Sequence, residues 1–336
     1  MYDPIFLKHD QPEHPEGARR LKAIMSELKS AGLLDKMIRV KTRAATEEEL
    51  QYAHPKGYIE YVKNICKNGG GYLDPDTYTT SSSYEAASIA AGSLIDLTLK
   101  ICSGELKNGF AFIRPPGHHA LAERAMGFCI FANVVIAARA AQKKCSIGKV
   151  AIVDFDVHHG NGTQAILYDD PSVLYVSTHQ YPYYPGTGSA NEIGHGKGEG
   201  TTINFPLPPG SGDENFKKLF NDILSPVLDR FKPGLIIVSA GYDCHWQDPL
   251  ASLGLSLTGL AWISQFLVKK AEELCSGKIV FALEGGYNLE VLKKGTANSI
   301  KALMGENDFE DQIGKSPEPE ATIENLLSRL KTIHKL

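Results

Sequence analysis

Short apolar runs alternate along the chain with longer segments whose apolar positions recur at helical spacing. The runs are 109–113 (GFAFI), 150–155 (VAIVDF), 172–178 (SVLYVST), 201–207 (TTINFPL), 235–241 (LIIVSAG) and 278–286 (KIVFALEGG). Several lack polar alternation, the pattern of parallel strands covered on both faces. Between them, residues 133–144, 214–231 and 257–275 read as helices. In the second, Phe216, Leu219, Phe220 and Ile223 form one apolar stripe. Residues 16–34 and 82–104 make the amino-terminal part helical. This alternation predicts an α/β fold: a single domain over 1–305, with a mainly parallel, multi-stranded sheet and helices on both faces. Residues 305–321 are polar with two prolines and mark the end of the core, and a short amphipathic helix follows. The segment 306–336 is expected to pack on the domain or trail it.

Five of the candidate strands run into polar, glycine-rich sequence: RPPGHHA, DFDVHHGNG, STHQYPYYPGTG, SAGYDCHWQDP and EGGYN. Parallel strands bring such ends to one edge of a sheet, where α/β proteins place their sites. At the end of 150–155, Asp156 and His158 sit two residues apart and face the same side if the strand continues. A carboxylate and an imidazole suit Zn²⁺ or Fe²⁺. A third ligand has to come from elsewhere. Asp243, at another strand end with no basic residue nearby, is the best candidate. Alone, an Asp-x-His is more often a capped turn, and two strand ends with matching chemistry reverse that preference.

The tandem His118-His119 follows RPPG, in a loop stiffened by prolines. Beside a metal, imidazoles suit proton transfer, since they titrate near neutral pH. Asp154 and Asn161 are available to orient them. Tyr287, after Glu284-Gly285-Gly286, has a phenol that can donate to a developing oxyanion. Phe128 and Tyr184 are loop aromatics that either pack or flank a narrow tunnel.

Composition narrows the function without naming it. The 336 residues carry 35 basic and 39 acidic side chains, net −4, which gives no electrostatic case for nucleic-acid binding. No apolar run reaches the ~18 residues of a membrane span. The six cysteines include no Cys-x-x-Cys pair and read as reduced thiols of a cytoplasmic protein. No signal peptide is evident at MYDPIFLKHDQ.

Taken together, RPPGHHA, GFC, DFDVHHGNGTQ, YPGTG, SAGYD, DPL and EGGYN resemble, in order, the metal-dependent histone deacetylase family, with its arginase/deacetylase fold. HHGNGTQ and HPEGARR are closer to its class II branch and the bacterial amidohydrolases related to it. The resemblance covers roughly residues 1–305. It implies that Asp156, His158 and Asp243 bind zinc, with His119 as general base and then acid, beside Asn161. It implies His118, paired with Asp154, as an electrostatic partner, and Tyr287 as the group polarising the acetyl carbonyl. Phe128 and Tyr184 would wall the tunnel, and Gly127 would accept the amide N–H. A structural potassium ion is implied at Asp154, Asp156, His158, Ser177 and Thr178, and Arg20 would belong to an internal channel. Asp76 and Thr77, in LDPDTY, match a rim position that accepts a substrate main-chain N–H. Tyr184 and Tyr242 stand where phenylalanine is more usual, and CHWQ (244–247) is unusual.

The reaction implied is hydrolysis of an Nε-acetyl-lysine, or another short acyl-lysine, to acetate and free amine. Acetylpolyamine deacetylases of the family carry an acidic or steric gate, and apolar Leu250 stands where their glutamate would be, which favours acyl-lysine over a polyamine or other small acyl-amine. A ureohydrolase of this fold would want a second aspartate where Gly160 stands. A non-catalytic acyl-lysine binding module would lack a ligand, a histidine or the tyrosine, and all are present. His159, His245 and Trp246 receive no role.

Overall fold

A computed structural model describes residues 1–336. The strands are β1 (Gly70–Asp74), β2 (Thr77–Thr80), β3 (Asn108–Ala111), β4 (Val150–Asp154), β5 (Val173–Gln180), β6 (Thr202–Leu207), β7 (Leu235–Ala240) and β8 (Ile279–Leu283). The last six form one sheet in the order β3-β8-β7-β4-β5-β6, every neighbouring pair parallel. β4, β5, β7 and β8 are buried along their whole length, as their unalternated apolar sequence requires.

Helices 83–102 and 133–145 pack together as one layer. Helices 19–30, 257–275 and 289–303 pack as the other. One cluster of 87 buried apolar residues runs through the molecule and includes Ile323 and Leu330, so the C-terminal segment packs on the domain. Its polar stretch is tied down as well. Trp246 Nε1 donates to the Gly314 carbonyl at 2.9 Å. The Glu320 carboxylate accepts the N–H groups of Glu214 and Asn215, both at 2.9 Å, at the start of helix 213–219.

The topology positions the site. β4 lies centrally; the chain moves outward through β5 and β6, then returns to β7 on the other side of β4. The ends of β4 and β7 therefore flank the switch point of the sheet, where a crevice opens. Asp154, the last residue of β4, pairs in register with Ser177 and Ser239.

Several features differ from the sequence reading. The helix expected over 214–231 carries a π-helical turn at Phe220–Leu224. Pro226 follows, and its ring and missing N–H disrupt the ordinary bonding pattern one turn earlier. The hairpin β1–β2 and helices 56–67 and 289–303 complete the fold.

Candidate active site

Past β4 the backbone is held by its own carboxylates. Asp156 N–H donates to Asp154 Oδ1 at 3.1 Å, and His158 N–H to Asp156 Oδ1 at 2.9 Å. Val157 N–H donates across to Asp243 Oδ1 at 3.0 Å, joining the ends of β4 and β7. The turn brings together the potential ligand atoms of Asp156, His158 and Asp243, all within 4.8 Å of one another. His158 Nδ1 lies 3.1 Å from Asp156 Oδ1 and 3.4 Å from Asp243 Oδ2. Asp243 Oδ2 is buried and accepts no hydrogen bond. Gly285 closes the cluster: a Cβ there would lie 2.1 Å from Asp243 Oδ2 and 2.5 Å from Asp156 Oδ2. Two buried carboxylates, one with an orphaned oxygen, and one imidazole are a donor set that fits a divalent cation. The electrostatics agree. Burial, then the charge of Asp156, raises the Asp243 pKa. Burial disfavours a charged His158, but Asp156 and Asp243 outweigh it and push its pKa up to about 10.

The paired histidines face different partners. His118 Nδ1 lies 3.0 Å from Asp154 Oδ2, which also accepts the Tyr175 hydroxyl at 3.1 Å. His119 Nδ1 lies 2.8 Å from Asn161 Oδ1. The rings are 4.0 Å apart, centroid to centroid. Burial disfavours charge on His118, yet Asp154 and Asp156 push its pKa up to about 10. Burial, then the neighbouring charges of His118 and His158, holds His119 well below the ordinary imidazole value. His119 is thus the neutral ring. With its Nδ1–H given to Asn161, its Nε2 keeps a lone pair.

Backbone contacts fix this loop. The N–H groups of Gly162 and Thr163 donate to the His118 carbonyl at 3.0 and 3.1 Å. Gly117 and His118 donate their N–H groups to Glu284 Oε2 at 2.7 and 3.3 Å, while Ser239 donates to Oε1 at 3.1 Å. Glu284 thereby ties the histidine loop to the segment carrying Tyr287. Asp248 holds that segment from the other side, accepting the N–H groups of Tyr287 and Asn288 at 2.7 and 3.1 Å and of Leu250 at 3.0 Å. Arg20 lies beneath, donating to the carbonyls of Glu284 and Gly286 at 2.5 and 2.8 Å. Its guanidinium stacks 5.2 Å from the Tyr287 ring centroid.

A cavity of ≈ 90 Å³ opens above, lined by Asp76, His119, Gly127, Phe128, His158, Tyr184, Leu250 and Tyr287. Tyr184 meets the His119 ring edge-on at 5.2 Å, and Phe128 meets Tyr287 edge-on at 6.0 Å. Phe128 adopts φ 69°, and its N–H donates to Thr77 Oγ1 at 3.1 Å. Ser177 and Thr178 lie behind, on β5; the Thr178 hydroxyl donates to the Asp154 carbonyl at 3.3 Å.

A model of the histone deacetylase domain matches residues 14–303. The chain belongs to the histone deacetylase family. The deacetylase is 40% identical to "Histone deacetylase 14, chloroplastic" of Arabidopsis thaliana, over 98% of this chain and 82% of that protein. It is equally 40% identical to a "Probable deacetylase" of Archaeoglobus fulgidus, over 98% and 91%. The crystal structure of the HDA15 HD domain superposes with a TM-score of 0.90 at 36% identity, covering 99% of this chain and 94% of that one. The six-stranded parallel sheet is therefore that of the arginase/deacetylase fold, and the enzyme is a hydrolytic deacetylase.

Some residues of the deacetylase site were not singled out by sequence. Glu284 stood only as the residue before two glycines, and Asp248 only as part of DPL. Both act through backbone N–H groups on other loops, which no local spacing encodes. Tyr242 explains its own hydroxyl: it donates to Ser299 Oγ at 2.9 Å, behind the site. Trp246 faces the C-terminal segment and does not line the cavity.

Proposed function

We propose that the enzyme removes acetyl or short acyl groups from the Nε-amine of lysine, using zinc held by Asp156, His158 and Asp243. The observation that carries this reading is the cavity itself. It is narrow and aromatic-walled, and at its floor meet a neutral His119, the Tyr287 phenol and His158 of the Asp-His-Asp cluster. A linear aliphatic stem fits such a channel. Leu250 at its wall offers no charge to a polyamine ammonium.

Zinc, when bound, would supply Lewis acidity and bring a water pKa towards ~7. His119 takes the proton of the attacking water at Nε2 and returns it to the leaving amine. His118, held by Asp154, stabilises charge next to it. Tyr287 donates its O–H to the carbonyl oxygen as negative charge develops there. Phe128 and Tyr184 hold the stem, the Gly127 carbonyl accepts the amide N–H, and Asp76, supported by Thr77, accepts a main-chain N–H at the rim. The donor set also suits Fe²⁺. A potassium ion belongs to the same proposal, supported by the convergence of Asp154, Ser177 and Thr178 on neighbouring strands. Arg20 supports the floor of the site from within. Six free thiols support a reducing, cytoplasmic setting.

A paired assay tests the substrate. Acetyl-lysine peptide should exceed N-acetylputrescine in kcat/KM by at least about tenfold, the worth of one unfavourable buried contact. A preference for the polyamine would overturn the lysine reading.

A further inference from the structure

His159 follows the candidate ligand His158 directly, yet its ring points elsewhere. It is fully buried, and its two nitrogens meet Thr187 Oγ1 at 2.7 Å and Gln164 Oε1 at 2.9 Å. The direction of these bonds can be worked out. The Glu192 carboxylate can only accept, and Gln164 Nε2 donates to it at 2.6 Å. Gln164 Oε1 is then the face turned to His159 and to Asn204 Nδ2, 2.8 Å away. His159 Nε2 therefore donates to Gln164, which leaves Nδ1 to take the Thr187 hydroxyl proton.

Everything in this network converges on Thr187 and Gly188. Glu192 accepts the N–H groups of Gly188, at 3.0 Å, and Ser189, at 2.8 Å. His179 Nε2 donates to the Gly188 carbonyl at 2.8 Å. Gly188 has φ +90°, and a Cβ there would lie 2.5 Å from His179 Nε2 and 2.6 Å from His159 Cγ. No other residue could let the loop sit so close to both rings. This anchored turn ends the loop that bears Tyr183 and Tyr184. Tyr183 stacks on His158 at 5.8 Å, and Tyr184 packs against His119 at 5.2 Å.

We infer that His159 is a positioning residue that fixes, through Thr187, the loop bearing Tyr183 and Tyr184, and so sets the width of the channel around the substrate's aliphatic stem at Tyr184. One peptide bond separates a candidate metal ligand from the anchor of the wall. The wall and the floor of the tunnel therefore share one rigid reference. This inference rests on the acyl-lysine reading for its substrate, but its structural half does not.

The test compares Thr187→Val, which removes only the hydroxyl donor, with Thr187→Ser, which keeps it, and with His159→Phe, which keeps a ring. Amide hydrogen exchange, and kcat and KM separately for an acetyl-lysine peptide, are measured on each. In Thr187→Val and His159→Phe, peptides covering 183–189 should exchange faster by roughly fivefold, the worth of one lost hydrogen bond. Those covering 150–158 should keep the wild-type rate. KM for the peptide should rise by a similar factor with a smaller change in kcat, and Thr187→Ser should restore both exchange and KM. Wild-type exchange and KM in Thr187→Val would overturn the inference, as would equal loosening of 150–158. If wild type did not turn over the acetyl-lysine peptide, the acyl-lysine reading would fail and the exchange data alone would decide the anchor.

Discussion

Two clusters of buried charge meet at the Glu284–Tyr287 segment, and they differ in how fully they are paired. Below the segment, the Glu16 carboxylate bonds both Arg114 and Arg20, all three wholly buried. Arg114 also donates to the carbonyls of Phe6 and His9 at 2.7 and 2.8 Å. Burial works against a charged Glu16, but Arg114 outweighs it and lowers its pKa to about 2. Above the segment, Asp154, Asp156 and Asp243 crowd together with no lysine or arginine, and Asp243 Oδ2 is left without a partner. An orphaned atom alone says little, since Thr98 Oγ1 and His334 Nε2 are orphaned too. The combination with crowded carboxylates separates the clusters. The lower one is complete and holds the chain; the upper one leaves a carboxylate oxygen unpaired, at the place where the proposed zinc would bind.

The comparison breaks most readily at the upper cluster. His119→Ala should lower kcat/KM by about 10²–10⁴, and Tyr287→Phe by about 10²–10³. Both should leave the melting temperature within a few degrees of wild type, because neither removes a paired charge. Undiminished turnover in purified protein would refute the assignment. Glu16→Gln should do the reverse. It strands two guanidiniums in the core, at a loss of about 3–5 kcal/mol measured by urea unfolding. A loss below ~1 kcal/mol would mean the lower cluster does not hold the fold.

A smaller effect, reaching beyond the two clusters, appears as pH dependence. Burial lowers the pKa of His9 to about 3 and that of His54 to about 4. Their folded values lie below the unfolded ~6.5, so the unfolded chain binds the extra protons. Their stabilisation is complete above ~6.5 and is lost as pH falls towards 4 and 3; Glu16 adds a loss between ~4.5 and about 2. His118, raised to about 10, has the opposite sign in metal-free protein: its share is complete below ~6.5 and is lost as pH rises through about 10. Urea midpoints of metal-free protein should therefore fall on both sides of neutrality. A midpoint flat from pH 7 to 4 would contradict the burial of His9 and His54.

The sheet was legible because its strands are short apolar runs closed by glycine and polar residues. The hairpin β1–β2 was not, since GGYLD is half exposed and has no apolar alternation. Asp156, His158 and Asp243 were legible as strand-end residues. The histidine partners were legible in kind, as Asp154 and Asn161 both lie in the quoted stretch. Glu284, Asp248 and His159 were not. Each works through a residue far away in sequence or through a backbone N–H, and only the folded path of the chain brings those together.

The strand order carries a consequence for how the molecule is made. β3 pairs only with β8, so the first strand of the main sheet to leave the ribosome waits for the last. The histidine pair follows β3, whereas Asp156, His158 and Asp243 follow strands that can assemble earlier. Such long-range pairing is slow. During synthesis the Asp156–His158–Asp243 cluster can take shape before Tyr287 reaches it. If Tyr287 has the role proposed for it, hydrolytic competence is withheld until the segment after β8 has been made.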